Sequence, residues 1–486
     1  MALVIMTFDN LEEFIKYQES NNDLIRINDE VDPELELTYI LSEEERIGKK
    51  KTILFNNVKG SKMPVLGNIF SSDKKIEAIL GDTPYNIGLK LKNIVRIPDD
   101  TESMISRGLE MLKEMSGIKP KVYSRKNSEF NVVEPHLSDY PITKNWPADG
   151  GRYITMPVVI TKDPDTGTRN VGTYRMQVYD DETVGMHWHI HKGGAEHMDK
   201  YRKEGKIMDV AVALGVDPLT FFSSIAPLPN GIDEFSFRGI LAKKHLELIK
   251  GETVNLEYPR SSQIVLEGYI DPTETRIEGP FGDHTGYYSL EEAFPVFHVK
   301  KIVQKIEPIY STTIVGKLWH EDVRIGKAIE RMFLPLIQIQ IPEIVDMNIP
   351  EETVVSNMIV VSIKKRYPGQ AKKVMFAIWG TGQMMFTKIV VVVDDDVDVH
   401  DMKQVMWAMT TRIDPVNDVF MVPNAPTDSL DHPARLFNLG SKMGIDATKK
   451  SPAENYNRPW PDTLSMTPEI ERKADELLKK LEQPHS

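Results

Sequence analysis

From residue 153 to residue 191 the chain is cut into short apolar runs by turn signals: MPVVITKD, the turn PDTG, TRNVGTYRMQVY, the polar DDET, then VGMHWHIH. β-Branched and aromatic residues between such breaks predict a hairpin followed by a further strand, an antiparallel arrangement. In the last run His187, His189 and His191 alternate with Met186, Trp188 and Ile190. A strand puts the three imidazoles on one face and the apolar side chains on the other, whereas a helix would group only His187 with His191. Such a face can ligate a metal, line a barrel that holds a ligand, or be merely polar. One strand rarely surrounds an ion, so a metal would need a further ligand from elsewhere.

The β-rich centre continues in SQIVLEGYID and FPVFHVKKIVQK, and is interrupted by a predicted helix around MDVAVALG (208–215) and the loop APLPNG. Before it, DNLEEFIKYQ carries Leu11, Phe14 and Ile15 at helical spacing; the strand candidates TILFNNV and PVLGNIF and helical stretches near 35–48 and 103–115 complete an α/β unit up to about residue 120. After about 315, helical VRIGKAIERMFLPLI and HDMKQVMWAMTTRI alternate with the buried-strand patterns MIVVSIKK and KIVVVVDDD. The DDD reads as the polar end of its strand. A proline-punctuated linker, SPAENYNRPWPDTLSM, precedes a terminal helix capped by Thr467, with Ile470, Ala474, Leu477, Leu478 and Leu481 on one face. That face predicts docking on a neighbouring subunit. The expected units are 1–120, 121–314, 315–450 and 451–486.

At 486 residues the chain has room for several cores. It has no cysteine, which excludes disulfides, thiolate metal sites and a cysteine nucleophile. With 72 acidic against 59 basic residues, a net charge of −13 and no basic stripe, nucleic acid is not an expected partner. The opening MALVIM lacks basic residues before it and IVVVV is too short to span a bilayer, so the expectation is a soluble cytoplasmic protein with no transmembrane segment.

Three further segments offer chemistry. TRNVGTYRMQ holds Asn170 and Arg175, whose odd separation puts them on opposite faces of a regular strand unless Asn170 precedes it or a bulge intervenes. NGIDEFSFRG holds Glu234, by itself an ordinary first-turn acid. In IEGPFGDHTGYY, Gly279, Gly282 and Gly286 with Pro280 make a tight loop that sets Glu278 near Asp283. Two adjacent carboxylates push at least one proton affinity upward, as a neutral-pH proton donor requires, and an arginine nearby would keep the other ionised.

NVGTYRMQV, HWHIHKGGA, DEFSFRG, IVLEGYIDPTETRIEGPFGDHTGYY, FLPLIQIQIPEIVD and GSKMGIDATKK occur in an order and spacing that resembles the UbiD-type decarboxylases, with DPELELT near the start extending the likeness over nearly the whole chain. The resemblance implies an α/β (α+β) fold: an N-terminal α/β domain, a central split β-barrel of flavin-reductase type, and a C-terminal α/β domain carrying oligomer contacts. It implies prenylated FMN, supplied by a separate flavin prenyltransferase, with a divalent ion (manganese or magnesium) and a potassium ion near Ser223, Ser224 and Ala226. Asn170, His191 and Glu234 match its metal-binding positions. Thr173, Tyr174, Arg175, His187, Trp188, His189, Lys192 and Gly193 match its cofactor contacts, and Arg175, Glu278 and Asp283 its catalytic trio. On this reading His191 binds the metal while His187 and His189 face the flavin.

The implied activity is reversible, non-oxidative decarboxylation of an aromatic acid, closest in pattern to 4-hydroxy-3-polyprenylbenzoate decarboxylases of quinone biosynthesis. A menaquinone-pathway naphthoate or a small phenolic acid is the alternative within the family. A polyprenylated substrate would bring peripheral membrane contact, and a homo-oligomer, dimer or hexamer, is expected. His187 and Lys192 stand where relatives often carry arginine, which alters the phosphate contacts because lysine cannot bind bidentately. Trp319 and His320 can border the substrate pocket, and Leu436 falls where the family keeps a mobile segment. From other classes, a metal-dependent hydrolase would need an open water site without a coloured cofactor, and a non-catalytic flavin-binding protein would need a disabled acid. Both Glu278 and Asp283 are present.

Overall fold

The run Met208–Leu214 is a strand, not the helix predicted for it. An almost wholly apolar run satisfies a buried helix and a doubly buried strand equally well, and pairing decides between them. Here the run lies antiparallel between Ile264–Glu278 and Val158–Lys162. The chain is seen in a computed structural model that describes residues 7–95, 118–125, 128–189, 193–228, 232–317, 320–354 and 357–481. The predicted helix at 103–115 lies outside these.

The centre is a nine-stranded sheet that curls into a half-barrel in the order Tyr153–Ile154, Met176–Val178, Thr183–Met186, Glu292–Lys305, Ile264–Glu278, Met208–Leu214, Val158–Lys162, Arg169–Gly172, with Phe130–Val133 added on Glu292–Lys305. Two further expectations fail inside it. TRNVGTYRMQVY is two strands rather than one, because the chain breaks at 173–175, where the Tyr174 ring folds over Gly172 so closely that a Cβ there would lie 2.4 Å from the phenol oxygen. Asn170 therefore lies in the first strand and Arg175 in the break just before the second, and their parity conflict disappears. The histidine run is not a continuous strand either: pairing stops at Met186, and the Trp188 amide turns back to the Met186 carbonyl at 2.8 Å. The alternation nevertheless persists, with Met186 and Trp188 in the core and His187 against His189 on the other side.

The first helix, Leu11–Ser20, is capped by Asn10, whose side chain accepts the Glu13 amide at 2.8 Å, and it buries Leu11, Phe14 and Ile15. Strands Leu24–Ile27, Thr52–Phe55 and Val65–Gly67 form a small sheet whose fourth member, Tyr310–Ser311, comes from beyond the half-barrel. Leu54, Leu66 and Ile79 share one apolar cluster with Ile160, Ala211 and Val265, so the core runs uninterrupted from this sheet into the central one.

The C-terminal part is a mixed five-stranded sheet: Ile344–Asn348, Met358–Ile363, Ile389–Asp394, Leu439–Ala447, Val419–Pro426. Val390 and Val392 pack with Val374 and Ile378 on one face, Val391 and Val393 with Val405 and Ala408 on the other, which explains a strand without polar positions. Its end, Asp394 and Asp396, closes on Arg412 at 3.0 Å each. Helix Glu321–Gln340 fixes this sheet to the N-terminal part by packing on Pro84–Val95, where a Cβ at Gly88 would stand 2.2 Å from the Met332 carbonyl oxygen. In the terminal helix Pro468–Leu481, Ile470, Leu477 and Leu478 are all about half exposed. No helix among the described residues is long and apolar enough to cross a membrane.

Candidate active site

Arg175 stands just before strand Met176–Val178, and Glu278 is the last residue of Ile264–Glu278. The chain then turns at Gly279, whose φ of +108° suits glycine alone, through a cis Gly279-Pro280 bond. Three contacts press this loop onto residues 145–151: the Gly282 amide donates to Asp149 at 2.7 Å, the Gly150 amide donates to the Pro280 carbonyl at 2.7 Å, and a Cβ on Gly282 would meet Trp146 at 2.1 Å. Asp283 is thereby carried back over Arg175.

The guanidinium holds both acids. Its Nε donates to Glu278 Oε1 at 3.0 Å, Nη1 to Asp283 Oδ2, and Nη2 to Glu278 Oε2 at 3.4 Å and Ser289 Oγ at 3.1 Å. Its face lies 4.5 Å from the Phe281 ring centre. Glu278 is fully buried and the Arg175 side chain only 9% exposed, so these charges interact in a low-dielectric setting. The expected upward push on one carboxyl is absent. Burial raises Glu278, but the His187 hydrogen bond and the Arg175 charge outweigh it and leave it below the ordinary value. Burial likewise raises Asp283, and the His284 hydrogen bond with Arg175 drives it far below. One cation bridging both carboxylates replaces the like-charge pair that sequence reasoning assumed.

From Glu278 a chain of contacts runs outward. His187 Nδ1 is 3.0 Å from Glu278 Oε2, its Nε2 is 3.0 Å from His189 Nε2, and His189 Nδ1 is 3.3 Å from Ser429 Oγ. Ser429 lies beyond strand Val419–Pro426, in a segment that also sets His432 edge-on against Tyr287. Leu436, in the same segment, is exposed. Burial and Arg175 hold His187 below the usual imidazole value, so a neutral ring donates Nδ1–H to Glu278 and accepts from His189.

A second cluster forms where Arg169–Gly172 meets helix Glu234–Ala242. Glu234, in the first turn after the Asp233 cap, accepts the Val171 amide at 3.0 Å, which brings it beside Asn170. Burial pushes the Glu234 carboxyl up to about 7. Asn170 Nδ2 is buried with no hydrogen-bond partner, and a Cβ on Gly193 would stand 2.0 Å from Asn170 Oδ1. Thr173 Oγ1 and Ser224 Oγ are 2.8 Å apart, Tyr174 stands edge-on to Trp188, and Trp188 Nε1 is buried without a partner. His191, Lys192 and Trp319 lie outside the described residues, and among the described ones no three His, Asp or Glu side chains gather around a metal position. A cavity of about 730 Å³ lined by Arg238, Lys244, Arg260 and Lys305 shares no residue with this site.

Sequence reasoning missed His284, Asp322, Ser289 and Ser429. His284 was visible beside Asp283; the others reach the site only through the fold.

Three family profiles match in order: the N-terminal domain of 3-octaprenyl-4-hydroxybenzoate carboxy-lyase over residues 15–94, its Rift-related domain over 121–318, and its C-terminal domain over 323–447. The chain belongs to the UbiD family. It is thus a UbiD-class carboxy-lyase with the three-part fold of that class. An uncharacterised protein of Archaeoglobus fulgidus is 48% identical over 474 residues, covering 97% of this chain and 98% of that protein. The vanillic acid decarboxylase of Sedimentibacter hydroxybenzoicus in its closed form superposes with a TM-score of 0.85 at 28% identity, over 98% of this chain and 100% of that one. An evolved dimeric form of the UbiD-class enzyme HmfF from Pelotomaculum thermopropionicum, solved with prFMN, gives 0.77 at 26% identity, over 96% and 98%. The set around Asn170 and Glu234 fits a cation tied to an anionic cofactor: a buried carboxylate short of positive charge to ligate the cation, the unpartnered Asn170 Nδ2 to donate to the anion, and a glycine that keeps the space beside Asn170 Oδ1 clear.

Proposed function

We propose that this protein catalyses the reversible, non-oxidative decarboxylation of an aromatic acid of hydroxybenzoate type, using prenylated FMN and a divalent ion. The observation that carries the reading is the buried Arg175 bridging Glu278 and Asp283. Vanillic acid, an aromatic acid, is the substrate of one structural relative, and prFMN is bound by another.

Asn170, Glu234 and His191 would hold manganese or magnesium against the cofactor phosphate, with potassium near Ser223, Ser224 and Ala226. Thr173, Tyr174, His187, Trp188, His189, Lys192 and Gly193 would contact the cofactor itself. When bound, prenylated FMN supplies the electron sink that an aromatic carbon needs as carbon dioxide leaves. Arg175 turns a donor toward the substrate carboxylate and orients it, while Glu278 stays ionised and holds the guanidinium in place. Asp283 delivers the proton that replaces carbon dioxide. At high bicarbonate the same groups run carboxylation. The run of motifs favours a polyprenylated hydroxybenzoate, and a naphthoate or small phenolic acid is distinguished from it by assay.

The experiment is to produce the protein beside a flavin prenyltransferase, record its absorption and bound-cofactor mass, and screen these acids for carbon dioxide release. Carbon dioxide release at full rate after removal of flavin and metal overturns the reading.

A further inference from the structure

Decarboxylation consumes one proton per turnover, and both carboxylates beside Arg175 are held ionised. The proton must rest elsewhere within reach. His284 occupies that place. Its Nδ1 is 2.8 Å from Asp283 Oδ1 and its backbone amide donates to the same oxygen at 2.7 Å, while Asp283 Oδ2 is taken by Arg175. Asp322, in the first turn of helix Glu321–Gln340, has both carboxylate oxygens buried with no hydrogen-bond partner.

The groups facing His284 come from three elements. Burial opposes its charge, but Asp283 on its own loop, Asp322 on the helix and Asp428 in the segment after Val419–Pro426 together bring it up to about 9. Cations nearby are Arg175, bonded to the far side of Asp283, and Lys317, which packs on Gly286. Burial leaves Asp322 at about 7 even with His284 pulling it down, so it changes protonation in the neutral range.

We propose that the His284 imidazolium is the proton store of the reaction, passing its Nδ1 proton to the ionised Asp283, which relays it to the carbon that carbon dioxide has left, with Asp322 as the counter-charge that keeps the store full. This rests on the decarboxylase reading. The bond to the carboxylate breaks and its electron pair stays with carbon; Nδ1 passes its proton to the ionised Asp283, which hands that same proton on as the C–H bond forms and is left ionised again. The neutral imidazole is reloaded from solvent, and no electrons are exchanged. His284 acts through Asp283 and is a positioning and proton-supplying residue, not one that touches the substrate.

The test uses flavin-loaded wild-type, His284→Gln and Asp322→Asn enzymes, each checked for its flavin spectrum, with kcat followed against pH. Wild-type kcat should fall as pH rises through about 9. H284Q should retain the flavin and lose about 10²-fold or more in kcat, the scale of a general acid, and its alkaline limb should vanish. D322N should keep a limb moved to lower pH. An H284Q enzyme with the wild-type rate and profile overturns the proposal, as does a D322N limb that does not move. If the wild type releases no carbon dioxide from any acid, it is the decarboxylase reading that fails.

Discussion

Ser429 Oγ lies 3.3 Å from His189 Nδ1, so the C-terminal sheet contributes the last link of the chain that starts at Arg175 and passes through Glu278, His187 and His189. The link fixes ring orientation rather than strength, since a hydrogen bond of this kind is worth about 0.5–1.5 kcal/mol net. Ser429→Ala should leave melting within about 1 kcal/mol of wild type. It should also perturb the flavin absorption and raise KM more than it lowers kcat. Unchanged spectra and kinetics would show that the contact orients nothing.

Arg175 is the sole side chain that bonds both Glu278 and Asp283 among the described residues. Removing it leaves the fully buried Glu278 without a cation and Asp283 with His284 alone. Arg175→Met should therefore lose about 3–5 kcal/mol in denaturant melts, and adding Glu278→Gln should recover part of that loss. A melt no weaker than wild type would show that the pair is solvated.

Stability should depend on pH from both sides of this cluster. Glu278 and Asp283 lie below their ordinary values of 4.5 and 3.8, so their contribution is present above those values and is lost as pH falls beneath them. His284 is raised from 6.5 to about 9, so its contribution is complete below 6.5 and is lost as pH rises through about 9. Thermal unfolding should show H284Q losing the alkaline decline and keeping the acid one. An alkaline decline that survives in H284Q would place its origin elsewhere.

Gly193 leaves no room for a Cβ beside Asn170 Oδ1. Gly193→Ala should displace the Asn170 amide and reduce bound manganese and flavin together at unchanged secondary structure. Glu234→Gln should do the same without a steric cause. Full metal content in both variants would remove Asn170 and Glu234 from the ligand set.

The terminal helix Pro468–Leu481 leaves Ile470, Leu477 and Leu478 about half exposed. Replacing all three with aspartate should lower the assembly mass measured by light scattering while flavin content per chain is kept. An unchanged mass would assign assembly to another surface.

Much of this was legible in the amino-acid order. The spacing of Leu11, Phe14 and Ile15 predicted their helix, because one apolar face is a local property. The doubly buried Ile389–Asp394 strand announced itself through valines that leave no polar face. Met208–Leu214 did not, because a run apolar at all but Asp209 carries no clear period and only its neighbours in the sheet settle its form. The histidine run misled in a subtler way: its alternation survives after the ladder has ended at Met186. Motifs picked out Glu278 and Asp283, which the structure does bring together on Arg175, whereas their charge states were not foreseen. Sequence placed two acids together, but the bridging guanidinium and the imidazole of His284 reverse the sign of what proximity alone implies.

Strand Tyr310–Ser311 seals the sheet begun at Leu24–Ile27. On the ribosome, therefore, this sheet cannot gain its fourth strand until the half-barrel that precedes Tyr310 in the chain has been made. Throughout that interval Leu54, Leu66 and Ile79 have Leu11, Phe14 and Ile76 beside them in the chain but lack Ile160, Ala211 and Val265, which complete their cluster. A nascent chain of this kind calls for holdase chaperones during synthesis, and a fragment ending near residue 95 should aggregate when expressed alone.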